Sequence, residues 1–366
     1  FRRVLFRSPF FTPDVARLVT TGSFDDMARV GTADWIIEAV VEVLDVKQAL
    51  LARVDSARRP GSVVSSNTSG LSIASIAAGR SDDFRRHWLG THFFNPPRYL
   101  HLLELIPTAE TDPSVVDRIR TFADRHLGKG VVLAKDTPNF IGNHIALHGV
   151  VRMLQLVASG AYTIEEVDAI TGPAIGRPKS ATFRTLDLAG IDILAHVVRN
   201  LHERLSDQEA RDAFVLPAFV TTMIERKLVG EKSGAGFYKR VTGASGTEIL
   251  TLDIETLDYR PRTPPRLGAL EAAASIADLD TRIRTLFTGK DRVGEFLRAT
   301  LDPTLRYTAR VAPTIAESPD DVDRVMRWGF GWERGPFELM RALGLPGARS
   351  EDLPPADPEY HALASA

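Results

Sequence analysis

The 366-residue sequence contains no cysteine, which excludes disulfides, thiolate metal ligands and cysteine nucleophiles. No apolar run approaches the roughly 20 residues that a membrane-spanning helix needs. Neither sign of charge dominates, because 45 Lys and Arg residues balance 47 Asp and Glu residues. Such a balance provides no general attraction to nucleic acid or to an anionic membrane. We therefore expect a cytoplasmic protein with no nucleic-acid partner, no membrane span and no metal site.

The first third of the chain alternates between short apolar runs and segments with helical spacing. Residues 35–41 and 88–94 are nearly continuous apolar runs, which are typical of strands buried on both faces of a parallel sheet. Residues 42–54 and 113–127 have helical spacing, and residues 13–32 suggest a helix and a short strand. The alternation predicts an α/β domain with a doubly wound sheet, in which ligands bind at the carboxyl ends of the strands.

The rest of the sequence has a helical pattern and contains an internal repeat. Residues 165–168 (Glu-Glu-Val-Asp) match residues 320–323 (Asp-Asp-Val-Asp), and each is followed by a glycine-containing segment that ends in phenylalanine, at 176–183 and 331–337. The repeat predicts two copies of one helical module. Residues 241–268 contain several glycines and prolines, and we expect them to form a connector between the copies.

His92 and Glu104 point most directly to chemistry. His92 lies in the run Gly-Thr-His-Phe-Phe-Asn-Pro at residues 90–96, and Glu104 follows it closely. A histidine titrates near neutral pH, so it can take a proton from a hydroxyl, and a carboxylate behind the ring can orient it. The alternative is a buried strand histidine with an unrelated surface glutamate, and these two residues alone do not decide between the two interpretations.

Two further polar runs flank this pair. Residues 65–69 (Ser-Ser-Asn-Thr-Ser) end an apolar strand, and residues 136–143 (Asp-Thr-Pro-Asn-Phe-Ile-Gly-Asn) precede a long helical segment. Taken in this order with the histidine and glutamate, the runs resemble the L-3-hydroxyacyl-CoA dehydrogenases of fatty-acid β-oxidation, over about residues 9–345. Residues 230–238 resemble the motif that closes the family's first helical domain.

The resemblance implies a domain organisation. It predicts an α/β plus all-α protein, with an incomplete Rossmann-type NAD-binding domain at 9–138 and two related helical dehydrogenase C-terminal domains at 139–240 and 269–346. Residues 1–8 are expected to be a non-native start, and residues 347–366 a tail or linker to a missing domain. The chain would then be the dehydrogenase part of a multifunctional protein, truncated at both ends, in which an enoyl-CoA hydratase follows the dehydrogenase.

One family motif is missing from the sequence. The Gly-x-Gly-x-x-Gly turn, which brings backbone N–H groups to the pyrophosphate of NAD, is found neither before Phe11 nor from Lys239 onward. We therefore expect the chain to enter the family fold after its second strand. We also expect its NAD binding and activity to be impaired.

The resemblance implies NAD-dependent oxidation of L-3-hydroxyacyl-CoA to 3-oxoacyl-CoA. His92 would be the general base, and Glu104 would orient it. Ser69 and Asn143 would contact the 3-oxygen and the thioester carbonyl of the substrate. The alternative for Ser69 is a helix N-cap near Leu71, and the alternative for Asn143 is a capping amide at the start of the long helix.

The resemblance also assigns cofactor contacts and partners. The residues that match family positions near NAD are Glu42, Lys47, Asn67, Asn95 and Lys232. Their alternatives are a solvated glutamate–lysine pair, turn chemistry before a proline, and an ordinary loop lysine. The expected partners are acyl-CoA and either a second copy of the chain or a thiolase in a β-oxidation complex.

Two other functions stay open at this stage. The missing glycine-rich turn is compatible with a non-catalytic assembly or interaction piece of a multienzyme. A different NAD-dependent hydroxy-acid dehydrogenase is the other candidate. The His92 and Glu104 pair argues against those relatives that use a lysine as the base.

Overall fold

The computed structural model describes residues 13–243 and 246–347. The expected non-native start and all but one residue of the expected tail lie outside the described residues. The described chain divides into two compact units between Thr137 and Pro138.

The first unit, as described over residues 13–137, is built on a five-stranded sheet whose strands follow chain order. These strands are β1 (Trp35–Glu38), β2 (Val63–Ser66), β3 (Trp88–Phe93), β4 (Leu102–Pro107) and β5 (Gly130–Leu133). All neighbouring strands are parallel except β3 and β4, which are antiparallel. The short segment 94–101 joins these two strands, and a parallel crossover would need about a dozen residues. The predicted Rossmann-like α/β fold is confirmed, with this one antiparallel pair.

Helices cover the sheet of the first unit. They are α1 (Leu44–Ala57), α2 (Ile73–Ile76), α3 (Asp82–Arg86) and α4 (Pro113–Leu127). The segment before β1 differs from the prediction, because it holds 3₁₀ helices at Pro13–Leu18 and Met27–Thr32 and no strand within residues 13–34. The strand prediction was wrong because Val19 and Phe24, the apolar residues there, are exposed and have no sheet to enter.

The bounds of α4 follow directly from the sequence. Asp112 accepts a hydrogen bond from the Ser114 amide at 2.8 Å, and Pro113 occupies the first turn, where no amide donor is needed. Gly128, with φ 63°, adopts the left-handed conformation that ends the helix. The core of the unit joins the buried face of α4 to the sheet through Val115, Val116, Ile119, Ala123, Val63, Leu89, Leu103 and Leu105.

The second unit, as described over residues 138–347, is mostly helical, as predicted. Its helices are α5 (Gly142–Ala158), α6 (Ile164–Ile170), α7 (Phe183–Ala189), α8 (Ile191–Arg204), α9 (Gln208–Asp212), α10 (Ala218–Glu225), α11 (Gly268–Ala273), α12 (Leu279–Thr288), α13 (Arg292–Ile315), α14 (Pro319–Phe330) and α15 (Pro336–Leu343). The long helices α5 and α13 pack through polar groups. His144 Nε2 lies 2.5 Å from the Tyr307 hydroxyl, and His148 Nδ1 lies 3.1 Å from Thr304 Oγ1.

The sequence repeat corresponds to a repeated helix junction. Asp168, at the end of the first matching segment, accepts hydrogen bonds from the amides of Phe183 at 2.7 Å and Arg184 at 3.2 Å, in the first turn of α7. Asp323 accepts from the amides of Phe337 at 2.8 Å and Glu338 at 3.2 Å, in the first turn of α15. In both copies the last aspartate of one helix therefore caps the next helix.

The segment expected to be a connector contains a second sheet. Residues 238–261 form antiparallel strands β6 (Tyr238–Gly243), β7 (Gly246–Leu252) and β8 (Tyr259–Pro261). Gly243, at the end of β6, pairs with Gly246, at the start of β7, so both glycines belong to the sheet. Arg260 in β8 anchors the sheet, because its guanidinium binds both oxygens of the buried Glu165 carboxylate, at 2.7 and 3.0 Å. The segment 241–268, predicted to be a connector, therefore contains most of this sheet.

Candidate active site

His92 and Glu104 face each other across the antiparallel strands β3 and β4. They are partners in the strand register, so their side chains lie on the same face of the sheet. His92 Nδ1 lies 2.6 Å from Glu104 Oε2, and both side chains are buried. A carboxylate at Nδ1 holds the proton on that nitrogen, which makes Nε2 the nitrogen that can accept one. Such an arrangement is chemically able to orient a general base.

A buried ionic network lies where β1 and β2 end. Lys47 is 1% exposed, and its Nζ lies 2.9 and 3.0 Å from the two carboxylate oxygens of Glu38. The same Nζ lies 3.2 Å from Glu42 Oε2 and 3.3 Å from the carbonyl oxygen of Val40. An ammonium has three protons to donate, and acceptors within the protein can engage all of them. The buried Lys47 ammonium therefore holds Glu38, Glu42 and the Val40 carbonyl together.

Glu42 links this network to the loop that carries Ser69. Its carboxylate accepts hydrogen bonds from the Thr68 hydroxyl and, at 3.0 Å, from the Ser69 amide. Burial acts to raise the pKa of Glu42, but the bond from Thr68, the charge of Lys47 and the Ser69 amide together hold it below its ordinary value. The carboxylate is consequently ionised at neutral pH, and it fixes the backbone beside Ser69.

Ser69 and Asn67 follow β2, at the same edge of the sheet as His92. The Asn67 side-chain oxygen accepts a hydrogen bond from the Phe93 amide at 2.9 Å, which ties the end of β2 to β3. Ser69 is half-buried and is not the cap of α2, because Ser72 accepts the capping bond from the Ser75 amide. The helix-cap interpretation of Ser69 is therefore not what the structure shows.

The remaining predicted site residues are Asn95, in the first unit, and Asn143 and Lys232, in the second. Asn95 is exposed and follows β3, before a cis bond to Pro96. Asn143 belongs to the second unit, where it is half-buried in the first turn of α5, a helix whose N-cap makes no side-chain hydrogen bond. Lys232 also belongs to the second unit, and its exposed Nζ lies 2.6 Å from Asp192 Oδ2 at the start of α8.

Comparison with known proteins identifies the family. Residues 7–137 match the family model "3-hydroxyacyl-CoA dehydrogenase, NAD binding domain", and residues 140–240 match the C-terminal domain of the same enzymes. The crystal structure of FadB2 from Mycobacterium tuberculosis is 32% identical and has a TM-score of 0.55, and the match covers 59% of this chain and 74% of that one. The chain belongs to the 3-hydroxyacyl-CoA dehydrogenase family.

Other family relatives are much longer than this chain. A "Probable 3-hydroxyacyl-CoA dehydrogenase" from Bacillus subtilis is 48% identical over 328 residues, which are 89% of this chain and 41% of that protein. A "Putative fatty acid oxidation complex trifunctional enzyme" from Rickettsia felis is 29% identical over 93% of this chain and 46% of its own length. The chain thus spans less than half the length of these two relatives.

Sequence reasoning missed residues that organise this candidate site. Glu38 is buried in β1, where Lys47 and, at 2.5 Å, the Ser66 hydroxyl bind its carboxylate. The signal was available, because a glutamate interrupts an apolar strand and a lysine follows it on the next helix. Buried carboxylates are rarely tolerated without such a partner.

Asp136 was part of a family motif without an assigned role. Its carboxylate accepts hydrogen bonds from the amides of Ile73 at 2.8 Å and Ala74 at 2.9 Å, and from the Ser72 hydroxyl at 2.9 Å. Burial raises the pKa of Asp136, although these hydrogen bonds oppose the increase. Asp136 therefore fixes the start of α2, which follows the loop carrying Ser69.

No group of three His, Cys, Asp or Glu side chains in residues 13–243 and 246–347 is arranged to hold a metal ion. No helix in that part of the dehydrogenase chain is both long and apolar enough to cross a bilayer.

Proposed function

We propose that this site serves NAD-dependent oxidation of L-3-hydroxyacyl-CoA to 3-oxoacyl-CoA in fatty-acid β-oxidation, and that the missing Gly-x-Gly-x-x-Gly turn impairs NAD binding and turnover in this chain. The observation that supports this proposal most strongly is the buried 2.6 Å contact between His92 Nδ1 and Glu104 Oε2. In the proposed reaction Nε2 of His92 takes the proton of the 3-hydroxyl, and the adjoining carbon loses a hydride. Glu104 stabilises the imidazolium that forms, because its negative charge lies beside the protonated ring.

The polar groups at the ends of β1, β2 and β3 suit the nicotinamide half of NAD. Bound NAD would supply the hydride acceptor. The ionised Glu42 can accept hydrogen bonds from ribose hydroxyls, and Asn67 and Asn95 offer amide groups near the same edge of the sheet. We assign Lys47 the role of holding Glu42, since its own donors face protein acceptors. Lys232 is proposed as a further cofactor contact on the family resemblance alone.

Ser69 and Asn143 are proposed to contact the substrate. A hydroxyl and an amide can donate hydrogen bonds to the 3-oxygen and the thioester carbonyl as negative charge develops on them. The Ser69 backbone is held by Glu42, so the hydroxyl is presented from a fixed loop. Asn143 is half-buried in the first turn of α5, a helix whose N-cap residue Ile141 makes no side-chain capping bond.

The wider assembly is also a proposal. The Rickettsia relative is named as a trifunctional enzyme of a fatty acid oxidation complex. We propose that this chain likewise works beside an enoyl-CoA hydratase, and either as a homo-oligomer or together with a thiolase. The substrate would then pass from the hydratase to the dehydrogenase and on to the thiolase.

The decisive experiment is His92→Gln in the full-length protein, assayed by NADH formation from L-3-hydroxybutyryl-CoA. Glutamine keeps much of the size of the side chain but cannot take the proton, so kcat should fall by ~10²–10⁴-fold, the usual range for loss of a general base. His126→Gln, at an exposed histidine on α4, is the matched control and should leave kcat unchanged. Near-normal turnover of the His92 variant would refute the proposal.

A further inference from the structure

A cleft lies in the helical unit, and none of the residues that line it is assigned above to the dehydrogenase chemistry, although Glu231 and Gly234 flank the proposed cofactor contact Lys232 in the sequence. It has a volume of about 540 Å³ and opens between the loop that precedes α7 and the sheet β6–β8. Cavities that bind small molecules commonly measure roughly 300–1,000 Å³. The cationic residues that line the cleft are Lys179, Arg184, Arg240 and Arg262.

The acidic residues of the cleft are already engaged. Glu231 forms an ion pair with Arg184. Asp168 accepts hydrogen bonds from the Phe183 amide and, at 2.9 Å, from the Tyr238 hydroxyl, so its carboxylate serves the helix junction described above. These carboxylates therefore do not neutralise the other cations of the cleft.

Cations from separate elements face this space without a carboxylate partner. Lys179 precedes α7, Arg240 lies on β6, and Arg262 follows β8, so the chain brings them together only through folding. Within the part of the chain that the structure describes, none of the three forms an ion pair with an acidic side chain. The contact of Arg262 is with the aromatic ring of Tyr238, at 5.9 Å from the ring centre.

The second copy of the helical module provides an internal comparison. There the arginine that precedes the capped helix, Arg334, is neutralised by Asp280 at 2.8 Å. The sheet β6–β8 follows the first copy, and no strand is found after α15 within residues 344–347. In the described part of the second copy, the cation that matches Lys179 is therefore paired, whereas Lys179 itself is not.

We propose that this cleft binds a small molecule that carries at least two phosphate groups. Guanidinium groups bind phosphate oxygens through paired hydrogen bonds, and a lysine adds a point charge. Three neighbouring cations repel one another, and a multiply charged anion relieves that repulsion. The cleft is too large for a single phosphate but is of the size that a diphosphate-bearing molecule would fill. The proposal goes beyond the dehydrogenase function and does not depend on it.

The test is isothermal titration calorimetry of the whole chain with inorganic pyrophosphate, and separately with ADP. We expect saturable binding that weakens at least roughly tenfold in the double variant Arg240→Gln/Arg262→Gln, which loses two charge-assisted contacts. Both arginines are exposed, so the variant should fold normally. The matched control is Arg199→Gln/Arg226→Gln, which removes the same charge from exposed positions of the same unit.

Hydrogen–deuterium exchange then locates the bound anion. Pyrophosphate should slow exchange in residues 179–184 and 238–240. Equal weakening in both double variants, protection elsewhere, or absence of saturable binding by either probe would overturn the proposal. Equal affinity for pyrophosphate and ADP would indicate that the cleft recognises the phosphates alone. The His92→Gln variant should bind pyrophosphate normally, so failure of the dehydrogenase proposal and failure of this one give different results.

Discussion

The fully buried carboxylate of Glu104 contacts the proposed base His92, and we expect its negative charge to be its main contribution to the reaction. In Glu104→Gln the side chain keeps its shape and an acceptor oxygen but cannot stabilise a protonated His92. We expect kcat to fall by ~10²–10⁴-fold while the KM for acyl-CoA changes little. Steady-state kinetics of the full-length protein test this, with the exposed Glu110→Gln as control. A rise in KM at unchanged kcat would contradict the orienting role.

Lys47 should matter for stability as well as for the cofactor side of the site. Lys47→Met would leave Glu38 buried without its cation, and breaking a buried ion pair in this way costs about 3–5 kcal/mol. Urea denaturation should show this loss in the free energy of unfolding, whereas the exposed Lys290→Met should cost little. A loss in the Lys47 variant as small as in the control would show that the pair is dispensable.

At the scale of single residues, the proposed catalytic residues were easier to predict from the sequence than the residues that hold them in place. His92 and Glu104 could be predicted to meet because the surrounding motifs belong to a recognisable family. Ser69 was predicted as a substrate contact, but its alternative as a helix cap could be judged only once Ser72 was seen to take that place. Glu38 escaped notice because a local pattern does not show which buried charge pairs with which cation.

At the scale of elements, the packing of α5 on α13 predicts a dependence of stability on pH. Burial lowers the pKa of His144 to about 4, and burial together with nearby positive charges lowers that of His148 to about 3, both from 6.5. Between pH 6.5 and pH 4, these histidines therefore bind protons in the unfolded chain but stay neutral in the folded protein. The stability these neutral rings contribute is complete above pH 6.5 and is lost as pH falls towards 4, by about 1.4 kcal/mol per pH unit for each ring.

The variant His148→Leu isolates this effect. Between pH 6.5 and pH 5 its free energy of unfolding should fall by about 2 kcal/mol less than that of the unmodified protein, because one such proton uptake is removed. Urea denaturation at the two pH values measures the difference. The exposed His126→Leu should behave like the unmodified protein. An unchanged pH dependence in the His148 variant would show that this ring is not held neutral by the fold.

Elements with strong local signals were predictable, and elements that depend on distant partners were not. Helix α4 carries its cap, its proline and its terminal glycine in the sequence, and the predicted bounds 113–127 are those observed. The sheet at 238–261 was missed because its strands are mostly exposed and lack a clear alternation of apolar residues. The antiparallel turn from β3 to β4 was not foreseen, since strand direction follows from the length of the connection and not from the strand sequences.

At the scale of the whole molecule, the two helical copies belong to one compact unit. Asp323→Ala removes the cap of α15 and should cost about 1–2 kcal/mol. If the copies unfold together, exchange of amide hydrogens should accelerate in α7 as well as in α15. Hydrogen–deuterium exchange with mass spectrometry measures both regions. Acceleration confined to α14 and α15 would show that the copies open separately.

In the hairpin of β3 and β4, the distance between His92 and Glu104 is independent of the length of the segment that joins the two strands. This distance is set by the ladder between the strands. The His92–Glu104 pair therefore tolerates the gain or loss of residues during evolution in the segment 96–101, beyond the proposed cofactor contact Asn95. A single residue gained or lost inside either strand would turn one of the two side chains to the opposite face of the sheet. Insertions in the joining segment thus leave the His92–Glu104 pair intact, whereas insertions inside β3 or β4 would separate it.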